Sequence, residues 1–340
     1  MITASVHPRQ FEARTWQREL SEAITSTEEL AAALDLDPAA LAGAHAAAGH
    51  FPLRVPRGFV ARMRAGDLKD PLLRQILPVA AELTDEAGYV DDPVSERGAL
   101  RAPGLLQKYR GRALLITTES CAVHCRYCFR REFPYAEQSG AAPRWSEALA
   151  QIAADSSLEE IILSGGDPLS LSNVRLETLT GSLTAIPHVR RVRVHTRQPV
   201  VLPSRVDEGL TRWLRDCALP IVFVLHVNHP NELDAALVAA CARLRGTGVT
   251  LLNQSVLLAG VNDDVEVLSE LSRRLYDAGV LPYYLHALDR VRGTAHFAVP
   301  EARARALAAQ LAGRLSGYLV PRLVREVPGA PAKVALGATI

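Results

Sequence analysis

Three cysteines that could bind an inorganic cluster lie within eight residues of the chain. Cys121, Cys125 and Cys128 form a C-x3-C-x2-C run inside the segment TTESCAVHCRYCFRREFPY. An iron–sulfur or zinc site that is complete in itself normally has a fourth protein ligand, and no further cysteine stands near this run. The spacing therefore predicts three thiolate ligands and one coordination position open to a small molecule. A zinc knuckle or a disulfide pair is the alternative that the spacing leaves open.

The other two cysteines are expected to be structural. Cys217 and Cys241 each stand alone in a helix-like segment, TRWLRDCALP and AALVAACARLRG. Buried free cysteines are commonly small core residues, and we expect both to be so. An odd number of cysteines, three of them clustered, also fits a reducing compartment better than a disulfide framework.

The overall composition fits an intracellular protein with one large domain and an appendage. At 340 residues and 48% hydrophobic content, the chain is long enough to bury a large core. Its 38 basic and 37 acidic side chains balance, so no general basic field favours nucleic acid. The N-terminal segment lacks the apolar core of a signal peptide, and no later run approaches the roughly 20 apolar residues that span a bilayer. We therefore expect a cytoplasmic protein without a membrane segment or a nucleic acid partner.

The chain changes character near residue 108. Residues 1–107 contain segments rich in alanine and leucine, at 21–49 and 71–85, that predict helices, and no catalytic group of residues stands out among them. Residues 108–325 alternate short β-branched runs with amphipathic segments, which predicts six strand–helix repeats. The strands are expected at 113–118, 159–164, 190–196, 221–227, 249–258 and 282–288.

Repeats of this kind predict an α/β fold built on a parallel sheet. Strands of such a sheet are buried on both faces and therefore appear as continuous apolar runs. Right-handed crossovers wind the sheet into a full or partial (β/α)6 barrel, after which residues 326–340 form a short C-terminal segment. The helices are expected around 145–155, 173–186, 206–217, 232–246 and 263–278.

Polar residues stand at the predicted carboxyl ends of the strands, where such a barrel collects its active site. Gly165 and Gly166 would let the backbone approach a ligand closely, and Asp167 could accept a hydrogen bond from an ammonium group. Taken singly, each residue also fits a structural role, since GGDP is a competent turn and a lone histidine is commonly a core residue. Together they predict a ligand site at one mouth of the barrel. The other polar residues at strand ends are His195, Thr196, Arg197, His226, Asn228, His229, Asn253, Gln254, Ser255, His286 and Asp289.

Several segments, taken in order, resemble the lysine 2,3-aminomutase family of radical S-adenosylmethionine (SAM) enzymes. They are CAVHCRYCFRR, IILSGGDPLSL, HTRQPVVLPSR, HVNHP, NQSVLLAGVND and PYYLHALDRVRGTAHF. The segments FPLRVPRGFVARM and GLLQKYRGRALL resemble in particular the short bacterial branch, which isomerises lysine for β-lysylation of elongation factor P. The resemblance implies a partial (β/α)6 radical SAM barrel that holds a 4Fe-4S cluster, SAM and pyridoxal 5′-phosphate (PLP).

The resemblance also assigns cofactor ligands. Cys121, Cys125 and Cys128 would hold the cluster, and Lys333 falls on the catalytic lysine to which the family binds PLP. The loop before this lysine, VPGAPAK, departs from the family's glycine run and keeps only Gly329. The alternative for Lys333 is a solvated lysine near the end of the chain. The alternative for Lys108 and Arg112 is a basic pair on the surface. The further cofactor-binding residues expected are Lys108 and Arg112 near the PLP phosphate, Gly165, Gly166 and Asp167 near the methionine end of SAM, and His226 and Gln254 as groups that orient SAM.

Substrate recognition follows from charge. A bound lysine presents a carboxylate at one end and an ammonium group at the other, so its site needs a guanidinium fork and a distant carboxylate. By the resemblance, Arg130 binds the carboxylate and Asp289 binds the ammonium group. Glu326 takes the position of a second ammonium-binding acid, where the long mutases carry Asp and the short branch shares Glu.

The resemblance implies an isomerase, a radical SAM and PLP-dependent L-lysine 2,3-aminomutase that forms (R)-β-lysine for the modification of elongation factor P. The expected partners are a flavodoxin or ferredoxin as reductant and, functionally, elongation factor P and its lysyl ligase. A catabolic or osmolyte-forming aminomutase acting on lysine or glutamate is the alternative within the same class. An iron–sulfur electron carrier or redox sensor is the alternative from a different class, which the GGDP segment and the carboxylate–lysine pair disfavour.

Overall fold

The computed structural model of the chain describes residues 16–135 and 142–337. Within these residues, ten strands form one sheet, and each strand pairs with its neighbours in sequence. The strands are β1 (Leu100–Ala102), β2 (Leu105–Tyr109), β3 (Arg112–Thr118), β4 (Glu160–Gly165), β5 (Arg191–Thr196), β6 (Ile221–Leu225), β7 (Thr250–Val256), β8 (Leu281–His286), β9 (Arg322–Arg325) and β10 (Val334–Ala335).

The central strands are parallel, and the predicted barrel is confirmed. Strands β3 to β9 pair in parallel, whereas β1, β2 and β10 add antiparallel pairs at the two edges. The six predicted runs correspond to β3 through β8. Because each of these parallel strands is joined to the next by a helical crossover, the sheet curves into a partial (β/α)6 barrel.

Four of the helices between these strands begin at a polar side chain that caps them. The side chains of Ser172, Asp207, Asp234 and Asp264 each accept a hydrogen bond from a backbone N–H in the first turn of the helix that follows. Such caps satisfy N–H groups that have no partner inside the helix. The helices of the barrel are α4 (Ala142–Ala154), α5 (Asn173–Thr184), α6 (Gln198–Val201), α7 (Glu208–Asp216), α8 (Ala235–Arg245), α9 (Val265–Asp277) and α10 (Glu301–Arg314).

Alternate residues of each strand face opposite sides of the sheet. On β5, Val192 and Val194 are fully buried in the main core against the helices, together with Cys241 of α8. Arg193 and His195 face the interior of the barrel and line a cavity. This period of two is the side-chain geometry of a strand. On β5 the apolar side chains therefore lie on the outer face, whereas β4 and β6 carry the continuous apolar runs that were predicted, with Ile162 and Val224 lining the cavity.

The N-terminal region differs from the uniformly helical region that was predicted. Its helices are short: α1 (Thr27–Ala33), α2 (Ala44–His50) and α3 (Arg57–Val60). The predicted helix over 71–85 forms two 3-10 turns instead, because Pro78 interrupts it and cannot donate a backbone hydrogen bond. Strand β1 and most of β2 also lie before residue 108. Residues 1–15 and 338–340, which belong to the predicted N-terminal and C-terminal segments, lie outside the described residues.

The turn after β4 packs against the backbone of the cysteine segment. A Cβ atom on Gly166 would lie 2.5 Å from the carbonyl oxygen of Ser120, and Gly165 has a φ of +113°. The N–H group of Gly166 donates to the carbonyl of Thr118 at 2.7 Å, and that of Asp167 donates to Ser120 at 2.8 Å. The two glycines therefore permit a close approach to the protein's own backbone, whereas an approach to a ligand was predicted.

Candidate active site

One cavity of about 530 Å³ lies inside the barrel and extends to the carboxyl ends of the strands. It is lined by every residue that the sequence singled out as a cofactor or substrate ligand. The C-terminal ends of parallel strands meet at one edge of a sheet, which explains why distant segments converge here. The predicted residues along its wall are Lys108, Arg112, Cys121, Cys125, Cys128, Arg130, Gly165, Gly166, Asp167, His226, Gln254, Asp289, Glu326 and Lys333.

The three clustered cysteines line one wall of this cavity on the loop after β3. All five cysteines are free thiols, so the disulfide alternative is wrong. Burial raises the pKa of the Cys128 thiol to about 11 and that of Cys121 well above its ordinary value. Among the described residues, no three His, Cys, Asp or Glu side chains converge on one point as a zinc knuckle requires. A cation bound at the loop would favour the thiolate form of these cysteines.

A buried arginine lies directly beside the cysteine loop. The Nη1 atom of Arg197 is 2.8 Å from the Cys125 sulfur and donates to the Tyr127 hydroxyl at 2.6 Å. Its Nη2 atom donates to Gln75 at 2.7 Å and to Glu232 at 3.1 Å. A guanidinium group beside a sulfur stabilises the negative charge of a thiolate ligand.

His226 supports this network through one ring nitrogen. The Tyr127 hydroxyl lies 2.8 Å from the Nε2 atom of His226 and accepts hydrogen bonds from Arg197 and Asn228. The hydroxyl therefore donates to His226, whose pKa is lowered to about 3 by burial and by the Arg197 charge. A neutral ring that accepts at Nε2 carries its proton on Nδ1. Only Nδ1 is left for the predicted contact with SAM.

The N-terminal region holds the cysteine loop from outside the barrel. The Arg126 side chain is fully buried, and its Nε donates to the Glu82 carboxylate at 2.9 Å. Its Nη1 atom donates to the carbonyl of Phe51 at 2.6 Å. The Nη2 atom of Arg131 also donates to Glu82, at 2.9 Å. Residues before 108 therefore position the loop, although their sequence showed no catalytic group.

The Asp167 carboxylate is already occupied by the protein. It accepts hydrogen bonds from the Thr196 hydroxyl at 2.7 Å and from the backbone N–H groups of Leu169, Arg197 and Gln198 at 3.0, 2.7 and 2.9 Å. A carboxylate offers about four acceptor positions, and these donors fill them. The Asp167 carboxylate therefore has no acceptor position left for the ammonium group that was predicted to bind there. Asp167 holds the turn after β4 against the end of β5.

Arg130 is paired with an acid that the sequence did not single out. Its Nε and Nη2 atoms donate to the two oxygens of Glu96 at 2.7 and 2.8 Å. Its Nη1 atom donates to the Ser164 hydroxyl at 3.1 Å and lies 3.4 Å from the Gly165 carbonyl oxygen. The predicted carboxylate-binding arginine thus has one face of its guanidinium group filled.

Lys108 and Glu326 also form ion pairs within the cavity wall. The Lys108 ammonium group lies 2.7 Å from Glu326 and 3.4 Å from Glu96. The charge of a lysine between two carboxylates is balanced, and the contact of Lys108 with the PLP phosphate stays a prediction. Glu326, predicted to hold a substrate ammonium group, faces Lys108 and Lys333 instead.

Lys333 is held opposite Glu326 by a β-hairpin. Strands β9 and β10 pair Arg325 with Val334, so the adjacent pair brings Glu326 and Lys333 face to face. The Lys333 Nζ atom lies 3.5 Å from Glu326 and 3.3 Å from the Nε2 atom of His286. Gly329 takes the left-handed conformation that the turn requires, with a φ of +78°. The loop therefore presents its lysine to the cavity with this single glycine.

Asp289 is the acid of the cavity that has no side-chain partner. No donor within residues 16–135 and 142–337 reaches its carboxylate, although Lys333 and Lys108 lie near enough to lower its pKa. Burial and the Glu326 charge outweigh them and raise the pKa of Asp289 to about 7. An ammonium group bound here would restore the ionised form.

The inner end of the cavity is basic. Arg112 and Arg322 line it, and neither forms an ion pair with a carboxylate within the described part of the chain. Arg112 packs 4.5 Å above the Tyr109 ring. The Nε2 atoms of His195 and Gln254 are buried at the same cavity without a hydrogen-bond partner. Unpaired guanidinium groups suit a ligand that carries a phosphate, and the two orphaned nitrogens, which lie near the carboxyl ends of β5 and β7, suit a polar ligand at the other end of the cavity.

Several functional neighbours escaped the sequence, and the signals that could have found them differ. His195 and Arg197 stood at a predicted strand end, so their place at the mouth of the barrel was indicated. Gln75 and Glu82 lie in the segment 71–85, which was predicted to be a structural helix, and Glu96 lies in the loop after it. Only their long-range contacts reveal them.

Comparisons with known proteins place these observations in a family. Residues 110–191 match the model of a 4Fe-4S single cluster domain. The chain is 47% identical over 322 residues to L-lysine 2,3-aminomutase of Escherichia coli (strain K12), which covers 94% of each chain. It is 44% identical to the enzyme of that name from Haemophilus influenzae, over 95% of each chain, and 35% identical to that from Clostridium subterminale, over 94% of this chain and 76% of the relative.

The chain belongs to the L-lysine 2,3-aminomutase family. It is accordingly a radical SAM isomerase that uses a 4Fe-4S cluster, SAM and PLP. The alternative of an iron–sulfur electron carrier is not supported, because the similarity to aminomutases extends over 94% of the chain. A radical SAM methyltransferase from Sphaerobacter thermophilus aligns with a TM-score of 0.46 and 21% identity over 65% of this chain and 68% of that one, and no argument rests on that similarity.

The helices of this aminomutase-family chain are short. Among the described residues, none has both the length and the apolar character that crossing a bilayer requires.

Replacing Glu82 by Gln is expected to destabilise the cysteine loop, because Arg126 then stays buried without a counter-charge and Arg131 keeps only Glu132, 3.5 Å away. Removal of one partner from a buried ion pair typically destabilises by about 3–5 kcal/mol. Anaerobic urea denaturation should show a reduced free energy of unfolding, and the iron content after reconstitution should fall. The control Glu266→Gln removes an exposed ion pair with Arg314 and should change the free energy by less than about 1 kcal/mol. Equal effects of the two variants would contradict this role of Glu82.

Proposed function

We propose that this protein converts L-lysine to (R)-β-lysine by moving the α-amino group to the neighbouring carbon. The observation that carries the proposal is the unpaired Asp289 carboxylate, which shares one cavity with Lys333 and the Arg130 guanidinium group. Arg130 lies beside β4 and Asp289 follows β8, on well-separated strands of the sheet. This set of groups complements a molecule with a carboxylate at one end and an ammonium group at the other.

The residues present fit the three cofactors of the family. Cys121, Cys125 and Cys128 would hold the cluster, with the Arg197 charge beside Cys125. The orphaned side-chain nitrogen of Gln254 would bind SAM, near the backbone at Gly165 and Gly166, and the Nδ1 proton of His226 is a second donor. When bound, these groups supply one-electron chemistry and a carbonyl that combines with amines.

Lys333 is the residue that we assign to PLP. Burial lowers the pKa of its ammonium group, which favours the neutral amine that attacks a carbonyl. His286 and Glu326 hold its Nζ atom from two sides. We assign the phosphate to Arg112 together with Arg322, since neither is paired with a carboxylate within the described residues.

Charge distinguishes lysine from glutamate in this cavity. The Asp289 carboxylate would attract the side-chain ammonium group of lysine and would repel the side-chain carboxylate of glutamate. Glu326 adds negative charge close to Asp289 and raises its pKa. The alternative of a glutamate aminomutase is therefore disfavoured.

The barrel holds the reactants away from bulk water. The wall of the cavity consists of strands whose outer faces are buried against the helices. Ordered neighbours such as Arg130 and His286 fix the positions of the ligands' polar ends. Exclusion of water and fixed orientation are the contributions that a protein makes to chemistry in which reactive species must not meet solvent.

We further propose that the product serves the β-lysylation of elongation factor P in the cytoplasm, with a flavodoxin or ferredoxin as reductant. The degree of similarity supports this, because the segments FPLRVPRGFVARM and GLLQKYRGRALL resemble the branch that serves elongation factor P, and the chain is 47% identical to the Escherichia coli relative but 35% identical to the Clostridium one. Intact-mass analysis of elongation factor P from a strain lacking this gene should show loss of the β-lysyl group. An unchanged mass would contradict the link while leaving the lysine reaction intact.

A direct test uses the fact that the chain contains three lysines, Lys69, Lys108 and Lys333. Borohydride reduction of the PLP-loaded protein should attach the cofactor to Lys333, as read by peptide mass spectrometry. The Lys333→Ala variant should lose the absorbance of bound PLP and all conversion of L-lysine, measured by chiral chromatography. The control Lys69→Ala removes an exposed lysine and should retain both. Labelling of Lys108 would refute the assignment, and unchanged L-lysine with fully loaded wild-type protein would refute the function.

Lysine affinity should depend on pH through Asp289. Below about pH 7 its carboxyl group is protonated and cannot attract an ammonium group, so affinity should rise with pH and level off above that value. L-Norleucine lacks the side-chain ammonium group, so its affinity should not follow this titration. Asp289→Asn should bind L-lysine roughly 10-fold to 100-fold more weakly at high pH and without the pH dependence. Titration calorimetry on non-reduced holoenzyme measures this, and a parallel pH response of L-norleucine would place the titration elsewhere.

A further inference from the structure

Glu96 covers one complete face of the Arg130 guanidinium group. A guanidinium group offers two faces to a carboxylate, one through Nε and Nη2 and one through Nη1 and Nη2. Glu96 accepts from Nε at 2.7 Å and from Nη2 at 2.8 Å, so the first face is closed. The Nη1 atom carries the Ser164 contact and a long contact of 3.4 Å to Gly165. One N–H of Nη2 and the weakly engaged N–H of Nη1 remain for a ligand.

The loop that carries Glu96 is built to hold it there. The Asp92 carboxylate accepts from the N–H groups of Glu96 at 2.8 Å and of Arg97 at 3.0 Å. Glu96 is 3% exposed, and its carboxylate also lies 3.4 Å from the Lys108 ammonium group. Burial alone would raise the pKa of Glu96, but the Arg130 and Lys108 charges outweigh it and lower that pKa. Glu96 is therefore ionised in the folded protein.

We propose that Glu96 is a positioning residue that closes the Nε face of Arg130 to the substrate, so that the substrate carboxylate binds in one orientation through the terminal nitrogens. This inference rests on the proposed function of Arg130. Glu96 therefore fixes the orientation of the bound substrate and, at the same time, lowers the affinity of the site for it. A second carboxylate beside Glu96 experiences like-charge repulsion, whereas Arg130 without Glu96 would be a buried, uncompensated cation.

The sign of the effect separates this role from simple structural support. Without the Glu96 charge, a substrate carboxylate becomes the only counter-ion of Arg130, and L-lysine should bind more tightly. It could then use either face of the guanidinium group, so much of the bound substrate would be misaligned. L-Lysinamide, which carries no carboxylate, should bind to the variant with unchanged affinity. A merely structural residue would weaken both ligands and the reaction together.

The experiment compares wild-type and Glu96→Gln holoenzyme loaded with cluster, PLP and SAM. Titration calorimetry without reductant measures binding of L-lysine and L-lysinamide. We expect the dissociation constant of L-lysine to fall about tenfold, with that of L-lysinamide unchanged, and kcat in the reduced enzyme to fall by about 100-fold. Weaker binding of both ligands by the same factor would overturn the proposal. Absence of L-lysine binding to the wild type would instead refute the proposed function itself.

Two further variants keep the test decisive if Glu96→Gln does not fold. Glu96→Asp retains the carboxylate but retracts it by one methylene, so its L-lysine affinity and kcat should lie between those of the wild type and the values expected for Glu96→Gln. Glu96→Ala leaves space for a small anion, and added formate should restore kcat in a saturable manner and weaken L-lysine binding. Acetamide is the neutral control and should restore nothing. Rescue by acetamide, or no rescue by formate in folded protein, would overturn the role of the charge.

Discussion

Ionised side chains inside the barrel have to be paired, and this requirement organises the cavity. Arg130, Glu96, Lys108, Glu326 and Lys333 follow one another as alternating charges, each within ion-pair distance of the next. Removing an ion from water is unfavourable by several kcal/mol unless an opposite charge lies close by. This row of charges is therefore nearly balanced before any ligand enters, whereas Arg112 and Arg322 at the inner end of the cavity are not paired with a carboxylate within the described residues. Recognition then depends on which faces of these groups remain open rather than on net charge.

The cysteine loop meets the same requirement from its other side. Arg126 and Arg131 are buried beneath it and share the single Glu82 carboxylate, which comes from the region before the barrel. Gln75 joins this region to Arg197 at the end of β5. The N-terminal region and the barrel thus form one polar framework around the loop. The short helices of the N-terminal region contribute chiefly the side chains and carbonyl groups that they place against the cysteine loop.

The barrel was largely predictable because its information is local. A run of β-branched residues predicts each strand. Because the carboxyl ends of parallel strands meet at one mouth of the barrel, the polar residues at those ends are predicted to lie together. The partners of those residues were not predictable. Glu96 lies in an acidic loop that resembles a solvated turn, and nothing adjacent in sequence shows that Asp167 is filled by donors or that Lys108 faces Glu326. Such pairings depend on contacts between segments distant in the chain, which only the folded structure supplies.

The hairpin between β9 and β10 has a consequence for how this site can vary. Lys333 faces Glu326 because strand pairing places them opposite each other, while the intervening residues 327–332 only close the turn. Side chains alternate between the faces of a strand, so a turn one residue longer or shorter would direct the lysine away from the cavity. Apart from Gly329, whose positive φ the turn requires, the turn residues can therefore vary in identity, while their number stays under constraint. The position of the Lys333 amine, which we propose to bind PLP, therefore depends on the number of residues in the turn.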